Sequence, residues 1–224
     1  MGKYFGTDGF RGEANVDLTV EHAYKVGRYL GWYYSQNGKA KVVIGKDTRR
    51  SSYMFEYALV SGLTASGADV YLLHVTTTPS VSYVVTSEEF DCGIMISASH
   101  NPYYDNGIKI LDGNGHKMDA GVENLIEQYI DGLIDELPYA TKDEIGCALD
   151  YSIGRNRYIG YLMSIPTRAF RNYRVGLDCA NGASSAIAKS VFDALGAKTY
   201  VINSDPDGLN INTNCGSTHI EVLQ

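Results

Sequence analysis

The chain has 224 residues, of which 44% are hydrophobic and 20% are charged, as in an ordinary soluble globular protein of one or two domains. Its formal net charge of −7 argues against a general nucleic-acid-binding surface, although it leaves room for a local basic pocket. No stretch is apolar enough to predict a membrane span or a signal peptide, and four widely spaced cysteines without a C-x-x-C pair predict free thiols in a cytoplasmic protein.

A glycine-rich segment, FGTDGFRG, occupies residues 5–12. Its glycines surround Thr7, Asp8 and Arg11, and glycine allows the backbone to approach a ligand closely or to adopt a positive φ. The guanidinium of Arg11 is a planar donor fork that suits phosphate. The segment predicts either a phosphate-contacting turn or a glycine-rich turn with a solvated arginine.

Strands and helices then alternate up to residue 96. Apolar side chains recur at helical spacing after Thr19, a residue suited to cap a helix N-terminus. The predicted elements are helix 20–34, strand 41–44, helix 53–66, strand 70–75, helix 79–87 and strand 92–96. This β-α-β-α-β order predicts an α/β domain whose largely parallel, mixed sheet is flanked by helices and joined by right-handed crossovers.

A polar loop, GKDTRRSS, follows the strand at 41–44 and precedes the helix at 53–66. Lys46 and Arg49 in this loop are candidates for an anion site near a helix N-terminus. A solvated basic turn is an equally good interpretation. The spacing of a Walker A loop is absent.

The most informative stretch is DCGIMISASHNPYYDNGIKIL, residues 91–111. The apolar run ends at residue 96 and is followed by Ser97, Ala98, Ser99, His100 and Asn101, just past a buried strand, which is where ligands bind in open α/β sheets. A second extended run places Lys109 between two isoleucines. A serine loop and a lysine on the next strand are therefore expected to converge on one anion.

The second half of the chain predicts helices at 122–134 and 152–165 around a polar linker at 138–144. A second strand–loop–helix–strand unit follows, with strands at 174–178 and 198–202 and a helix at 185–195. The NGASS turn at 181–185 joins strand to helix, and a phosphate nest is the less favoured alternative. Thr218-x-x-Glu221 predicts the start of a helix, and one strand–helix–strand unit is too little sheet to bury itself. We expect a domain at 1–150 and an incomplete α/β domain of similar plan at 151–224.

The string SASHNPYYDNGIK resembles the active-site signature of the α-D-phosphohexomutases, and FGTDGFRG and GKDTR are similar to two further motifs of that family. Ser51-Ser52 departs from the Ser-Gly that usually ends the last motif, which puts the backbone at Ser52 in doubt. The resemblance implies that Ser99, not Ser97, is the phosphorylated serine. It also implies that Lys109 is the catalytic lysine and that Arg11 holds the phosphoserine.

The same resemblance makes His100 a candidate for proton transfer with the sugar hydroxyl. A hydrolase triad is rejected, because His100 cannot easily bond the Oγ of the adjacent Ser99 as a base. Four further side chains are assigned to substrate or phosphate binding: Thr7, Asn101, Lys46 and Arg49.

The resemblance implies a mutase that moves a phosphoryl group between two positions of a hexosamine phosphate through the phosphoserine and a sugar bisphosphate, which also serves as primer. It implies Mg²⁺ held through the phosphate on Ser99, with its remaining ligands in an Asp-rich segment beyond Gln224. The chain is therefore expected to be an N-terminal fragment, inactive by itself, and a homodimer is a further expectation. No nucleic-acid or membrane partner is expected. Another hexose phosphate as substrate, or a non-catalytic sugar-phosphate-binding module, are the alternatives.

Overall fold

The computed structural model describes residues 2–224. In chain order the elements are β1 Phe5–Gly6, β2 Gly9–Glu13, α1 Val20–Tyr34, β3 Lys41–Lys46, α2 Arg50–Ala65, β4 Asp69–Val75, α3 Thr78–Ser87, β5 Cys92–Ile96, β6 Asp105–Asp112, α4 Ala120–Ile130, β7 Ala148–Asp150, α5 Ser152–Ser164, β8 Arg174–Asp178, α6 Ala188–Ala194 and β9 Lys198–Ile202. Short 3-10 turns lie at Ser35–Asn37, Lys142–Glu144, Ala183–Ala186, Gly216–Thr218 and Ile220–Val222.

The main sheet has seven strands in the order β1-β2-β6-β5-β3-β4-β7. Strands β5, β3, β4 and β7 run parallel to one another. Strand β6 is antiparallel to β5, β2 is antiparallel to β6, and β1 is antiparallel to β2. The predicted mixed sheet flanked by helices is thereby confirmed. The parallel strands bring the segments that follow β3, β4 and β5 to one edge, where ligands bind in sheets of this kind.

Helices cover both faces of the sheet. Leu30 of α1 and Leu59 of α2 pack with Ile44 of β3 in one core, whereas Val81 of α3 packs with Met95 of β5 in the other. Helix α1 begins as its sequence predicts, because the Thr19 side chain accepts from the His22 amide in a capping box. None of the helices described within residues 2–224 combines the length and apolar character needed to cross a bilayer.

Several predicted boundaries differ from the structure. Helix α2 begins three residues early, and the helix predicted to reach residue 134 ends at Ile130, where the chain turns through Gly132 with φ of 72°. Strand β7 was not predicted, because its three residues are exposed and carry no apolar pattern. It exists through pairing with β4, which places Ala148 opposite Val70.

The second unit consists of a parallel pair, β8 and β9, with helix α6. Its strands are partly exposed, and Tyr200 is 49% exposed. Helix α5 packs on α3 and β4 of the first unit and also on α6, so the domain division at residue 151 stays a prediction. The helix predicted from Thr218 is wrong within this chain: two 3-10 turns form instead, and no side-chain cap bond is made.

Candidate active site

The segment between β5 and β6, residues 97–104, is here named the serine loop. Its first serine is buried, and the hydroxyl of Ser97 accepts a hydrogen bond of 3.0 Å from the Ser99 amide. Ser99 is exposed and has φ of 57°, the left-handed region that few residues other than glycine adopt. Within residues 2–224 the structure gives the Ser99 hydroxyl no hydrogen-bond partner, so Ser97 supports the loop and Ser99 presents its Oγ to solvent.

Arg11 and Lys109 lie on neighbouring antiparallel strands. Arg11 of β2 faces Gly107 of β6, where a Cβ would come within 2.9 Å of the Arg11 Cγ. Lys109 is two residues further along β6 and therefore projects from the same face as position 107. Burial and the positive charge of Arg11 lower the pKa of Lys109. The two cations are thus neighbours, as their predicted shared role requires.

Arg11 is only partly paired. Its guanidinium meets the exposed Asp8 carboxylate at 3.2 Å, and its buried Nε has no partner within the described residues. Because a guanidinium has five N–H donors and this one has a single ion-pair partner, its terminal nitrogens retain capacity for an anion.

Arg49 lies just before α2 and contacts the serine loop. It is completely buried, pairs with Asp47, and donates to the carbonyl oxygens of Asn101 at 2.6 Å and Ser99 at 3.3 Å. These contacts commit its guanidinium to the backbone of the serine loop. The assignment of Arg49 as a phosphate ligand stays a prediction, and these contacts show that its guanidinium supports the loop that carries Ser99.

The structure places Lys46 away from the serine loop, and its predicted part in phosphate binding stays a prediction. It pairs in register with Ile96, which faces the core of α1 and α2, whereas Lys109 pairs with Met95, which faces the core of α3. Because side chains alternate along a strand, Lys46 and Lys109 project from opposite faces of the sheet. The Lys46 ammonium, 2% exposed, is bound by Glu56 of α2 and is not available to the serine loop.

The doubt about Ser52 is resolved by its place inside helix α2. Its backbone is helical, and its buried hydroxyl donates to Asp47 at 2.8 Å while accepting from Asn106 at 3.0 Å. A serine is therefore accommodated where the resembling motif usually has glycine.

Of the three remaining predicted residues, two lie in the serine loop itself. Thr7 is exposed in the turn between β1 and β2. Asn101 donates its side-chain amide to Asp105 at 2.8 Å, so that group is turned toward the start of β6. His100 is exposed beside Ser99. Their roles in binding or proton transfer stay predictions.

A cleft of about 380 Å³ lies between the serine loop and the second unit. One wall contains Ser99, His100 and the start of α3, and the other contains residues of the second unit; those lining the second wall include Asp178, Gly182, Ser184, Asn212 and Ser217. Burial opposes ionisation of Asp178, but the amides of Gly216 and Ala180 hold its pKa below the ordinary value. Among residues 2–224, no group of three or more His, Cys, Asp or Glu side chains is placed to hold a metal ion.

The sequence matches the family profile described as phosphoglucomutase/phosphomannomutase, alpha/beta/alpha domain I, over residues 2–135. The chain belongs to the phosphoglucomutase/phosphomannomutase family. It is 72% identical over 224 residues to the phosphoglucosamine mutase of Lachnoclostridium phytofermentans and 71% identical over 227 residues to that of Lachnospira eligens, in each case over the whole of this chain and 50% of that protein. The chain thus spans about half the length of these curated relatives.

The fold is also that of a solved member of the family. A crystal structure of a phosphoglucomutase/phosphomannomutase family protein from Burkholderia thailandensis superposes with a TM-score of 0.78 at 24% identity, covering 93% of this chain and 46% of that one. The family's domain I, residues 2–135, contains every site residue that the sequence predicted. Sequence reasoning missed the second wall of the cleft, although the NGASS turn was a weak signal for it.

Proposed function

We propose that this chain is part of a phosphoglucosamine mutase, which interconverts glucosamine 6-phosphate and glucosamine 1-phosphate. The observation that carries the proposal is the exposed Ser99 hydroxyl, held on a left-handed backbone in the family's motif. The choice of sugar is supported by the relatives at 72% and 71% identity, which carry that name. Because the chain covers half of each of them, the substrate is carried over by similarity.

In the proposed reaction, phosphorylated Ser99 donates its phosphoryl group to the free hydroxyl of the sugar monophosphate. The bond from phosphorus to the serine Oγ breaks and a bond from phosphorus to the sugar oxygen forms. The sugar hydroxyl loses its proton to a base, for which exposed His100 is the candidate, and the departing Oγ takes up a proton from solvent to become the Ser99 hydroxyl. The bisphosphate then reorients in the site, so that its other phosphate faces Ser99. The Ser99 hydroxyl loses its proton as its Oγ attacks the phosphorus of the other phosphate, the bond from that phosphorus to the sugar oxygen breaks, and the sugar oxygen takes up a proton, for which protonated His100 is the candidate donor. The isomeric monophosphate leaves, and Ser99 is again phosphorylated.

Arg11 and Lys109 would neutralise the charge on the transferring phosphoryl oxygens. The pKa of Lys109 is lowered by burial and by Arg11, and an added phosphate dianion beside it would favour the charged ammonium again. Two neighbouring cations that repel each other in the free protein would both be stabilised by the phosphoserine. This gives the pair a preference for the phosphorylated form.

Mg²⁺ is the cofactor that the family resemblance implies. A phosphate on Ser99 would supply one oxygen ligand, but the residues described here contain no cluster of carboxylates that would complete a site. When bound, Mg²⁺ would neutralise phosphoryl charge. No step above depends on it.

The direct test is intact-mass analysis of the purified chain before and after phosphatase treatment, and again after incubation with glucose 1,6-bisphosphate. We expect one phosphatase-sensitive phosphate, mapped to Ser99 by peptide mass spectrometry. Binding of a sugar phosphate without any covalent phosphate would instead favour the non-catalytic binding module. A phosphate at Ser97 would overturn the assignment of Ser99.

A further inference from the structure

Among the hydrogen bonds described for residues 2–224, those between the second unit and the serine loop are made by the side chain of Asn212. Its amide nitrogen Nδ2 donates to the carbonyl oxygen of Ser99 at 2.9 Å and to that of Asn101 at 3.0 Å. An asparagine amide has two hydrogens, so both are used on the backbone of this loop. No other bond of the Asn212 side chain is described within residues 2–224.

The same two carbonyl oxygens accept from Arg49 of the first unit, at 3.3 Å for Ser99 and 2.6 Å for Asn101. Ser99 and Asn101 are therefore held from two sides, by a buried arginine of the first unit and an amide of the second. Since the Ser99 amide is bound by Ser97 Oγ, both backbone polar groups of Ser99 are held while its hydroxyl stays free. A residue with φ of 57° needs such support to keep one conformation.

Asn212 is itself fixed in place. Its backbone N–H donates to the Ala180 carbonyl at 2.9 Å, within the second unit. The second unit is bound to the first at the loop that precedes α2: the Thr48 hydroxyl donates to the Asn181 carbonyl at 2.7 Å, and the Arg50 amide donates to the Gly208 carbonyl at 3.2 Å. Asn212 thus links the position of the second unit to the conformation of the serine loop.

We propose that Asn212 is a positioning residue: through the carbonyls of Ser99 and Asn101 it holds the serine loop so that the Ser99 hydroxyl is aligned for phosphoryl transfer. The inference rests on the proposed function for its chemistry, and on the contacts alone for its effect on the loop. It assigns the second unit a part in the reaction besides lining the cleft.

The test compares three variants of the full 224-residue chain. Asn212→Ala removes both donors, and Asn212→Asp keeps the shape but faces two carbonyl oxygens with a carboxylate. Asn214→Ala is the matched control, because Asn214 is an exposed asparagine with φ of 52° and no described contact to the loop. The rate of phosphate uptake at Ser99 is measured by intact mass against glucose 1,6-bisphosphate concentration, and amide hydrogen exchange is followed in the serine loop and in β8.

We expect both Asn212 variants to lower the maximal uptake rate at least tenfold with little change in the half-saturating concentration, and to speed exchange in the serine loop but not in β8. The control is expected to match the parent within twofold. Parent-like uptake and loop exchange in the Asn212 variants would overturn the inference, as would faster exchange in β8 as well as the loop in both of them. If the parent itself takes up no phosphate, that result matches the expected inactivity of the isolated chain, and loop exchange alone decides whether Asn212 positions the loop.

Discussion

Two loops follow neighbouring strands at the same edge of the sheet. One exposes its polar side chains, whereas the other buries most of them. The serine loop follows β5 and exposes Ser99 and His100 to the cleft. The basic loop, residues 46–50, runs from the end of β3 to the start of α2 and buries three of its four charged side chains. Arg49 is 0% exposed and Lys46 and Asp47 are each 2% exposed, whereas Arg50 is exposed. Cationic residues in a segment that resembles a phosphate-binding motif can therefore support the fold.

The physical difference is in the available partners. Carboxylates within the first unit neutralise the cations of the basic loop, Asp47 for Arg49 and Glu56 for Lys46, which makes their burial tolerable. Arg11 has only the exposed Asp8 as a partner, and no ion pair of Lys109 is described within residues 2–224. The comparison predicts that changes in the serine loop and its two cations alter catalysis, whereas changes in the basic loop alter stability first.

The largest effect is expected from Ser99→Ala. In an assayable mutase containing this segment it should remove the phosphoenzyme and lower turnover by about a thousandfold or more, because no other group carries the phosphoryl. Ser97→Ala is the matched control; it loses one hydrogen bond to the Ser99 amide and should keep the phosphate with a milder loss of rate. Equal losses, with phosphate at residue 97, would reverse the roles.

The next effect is expected from Lys109→Ala and Arg11→Ala. Each should lower kcat/KM by about a hundredfold, as for loss of a cation that stabilises transition-state charge. Lys109→Arg should restore activity only in part, because a planar fork does not replace a compact ammonium. The exposed Lys41 at the start of β3 provides a control, Lys41→Ala, which should behave as the parent. Near-parental kinetics of both test variants would show that the pair does not bind the phosphoryl group.

Arg49→Lys should act mainly on folding. A lysine cannot pair with Asp47 and also reach the carbonyls of Ser99 and Asn101, so the free energy of unfolding should fall by about 2 kcal/mol. Chemical denaturation measures this loss, and the adjacent exposed Arg50→Lys is the control. If Arg49→Lys abolished activity without changing stability, the arginine would belong with the phosphate ligands after all.

The smallest effect, on stability, is expected at Glu127, which binds the segment that precedes the strand of Arg11. Glu127 of α4 accepts from the amides of Lys3, Tyr4 and Phe5 at 2.9, 2.7 and 2.7 Å. Burial opposes its charge, but these three amides hold its pKa below the ordinary value of 4.5. Because the folded pKa is depressed, this stabilisation is present above pH 4.5 and is lost as the pH falls through the folded value.

Glu127→Gln should therefore cost about 1 kcal/mol of unfolding free energy at pH 7, since a neutral amide accepts from these donors more weakly than a carboxylate. The difference between variant and parent should begin to shrink below pH 4.5, where Glu127 of the unfolded parent becomes protonated, and should keep shrinking until the pH reaches the lower folded pKa. Denaturant titrations at pH 7 and pH 3.5 measure both values. A gap that persists at the lower pH would indicate lost packing and not the lost charge.

Local pattern was enough to predict much of this chain. Strands β5, β8 and β9 and helix α1 have the predicted bounds, because a continuous apolar run or a capping residue marks each one within a few residues. The motif around Ser99 identified the family, which the match over residues 2–135 confirms. These are properties of short segments, and short segments can be assessed without knowing what they pack against.

Only the tertiary structure decided the rest. The three exposed residues of β7 form a strand because the edge of β4 offers them backbone partners. Lys46 is turned away from the serine loop because its register with β5 directs it to the other face of the sheet. Asn212 reaches Ser99 across 113 positions of sequence. A hydrogen bond to a backbone carbonyl depends on which segments meet in space, and no local pattern of residues encodes that meeting.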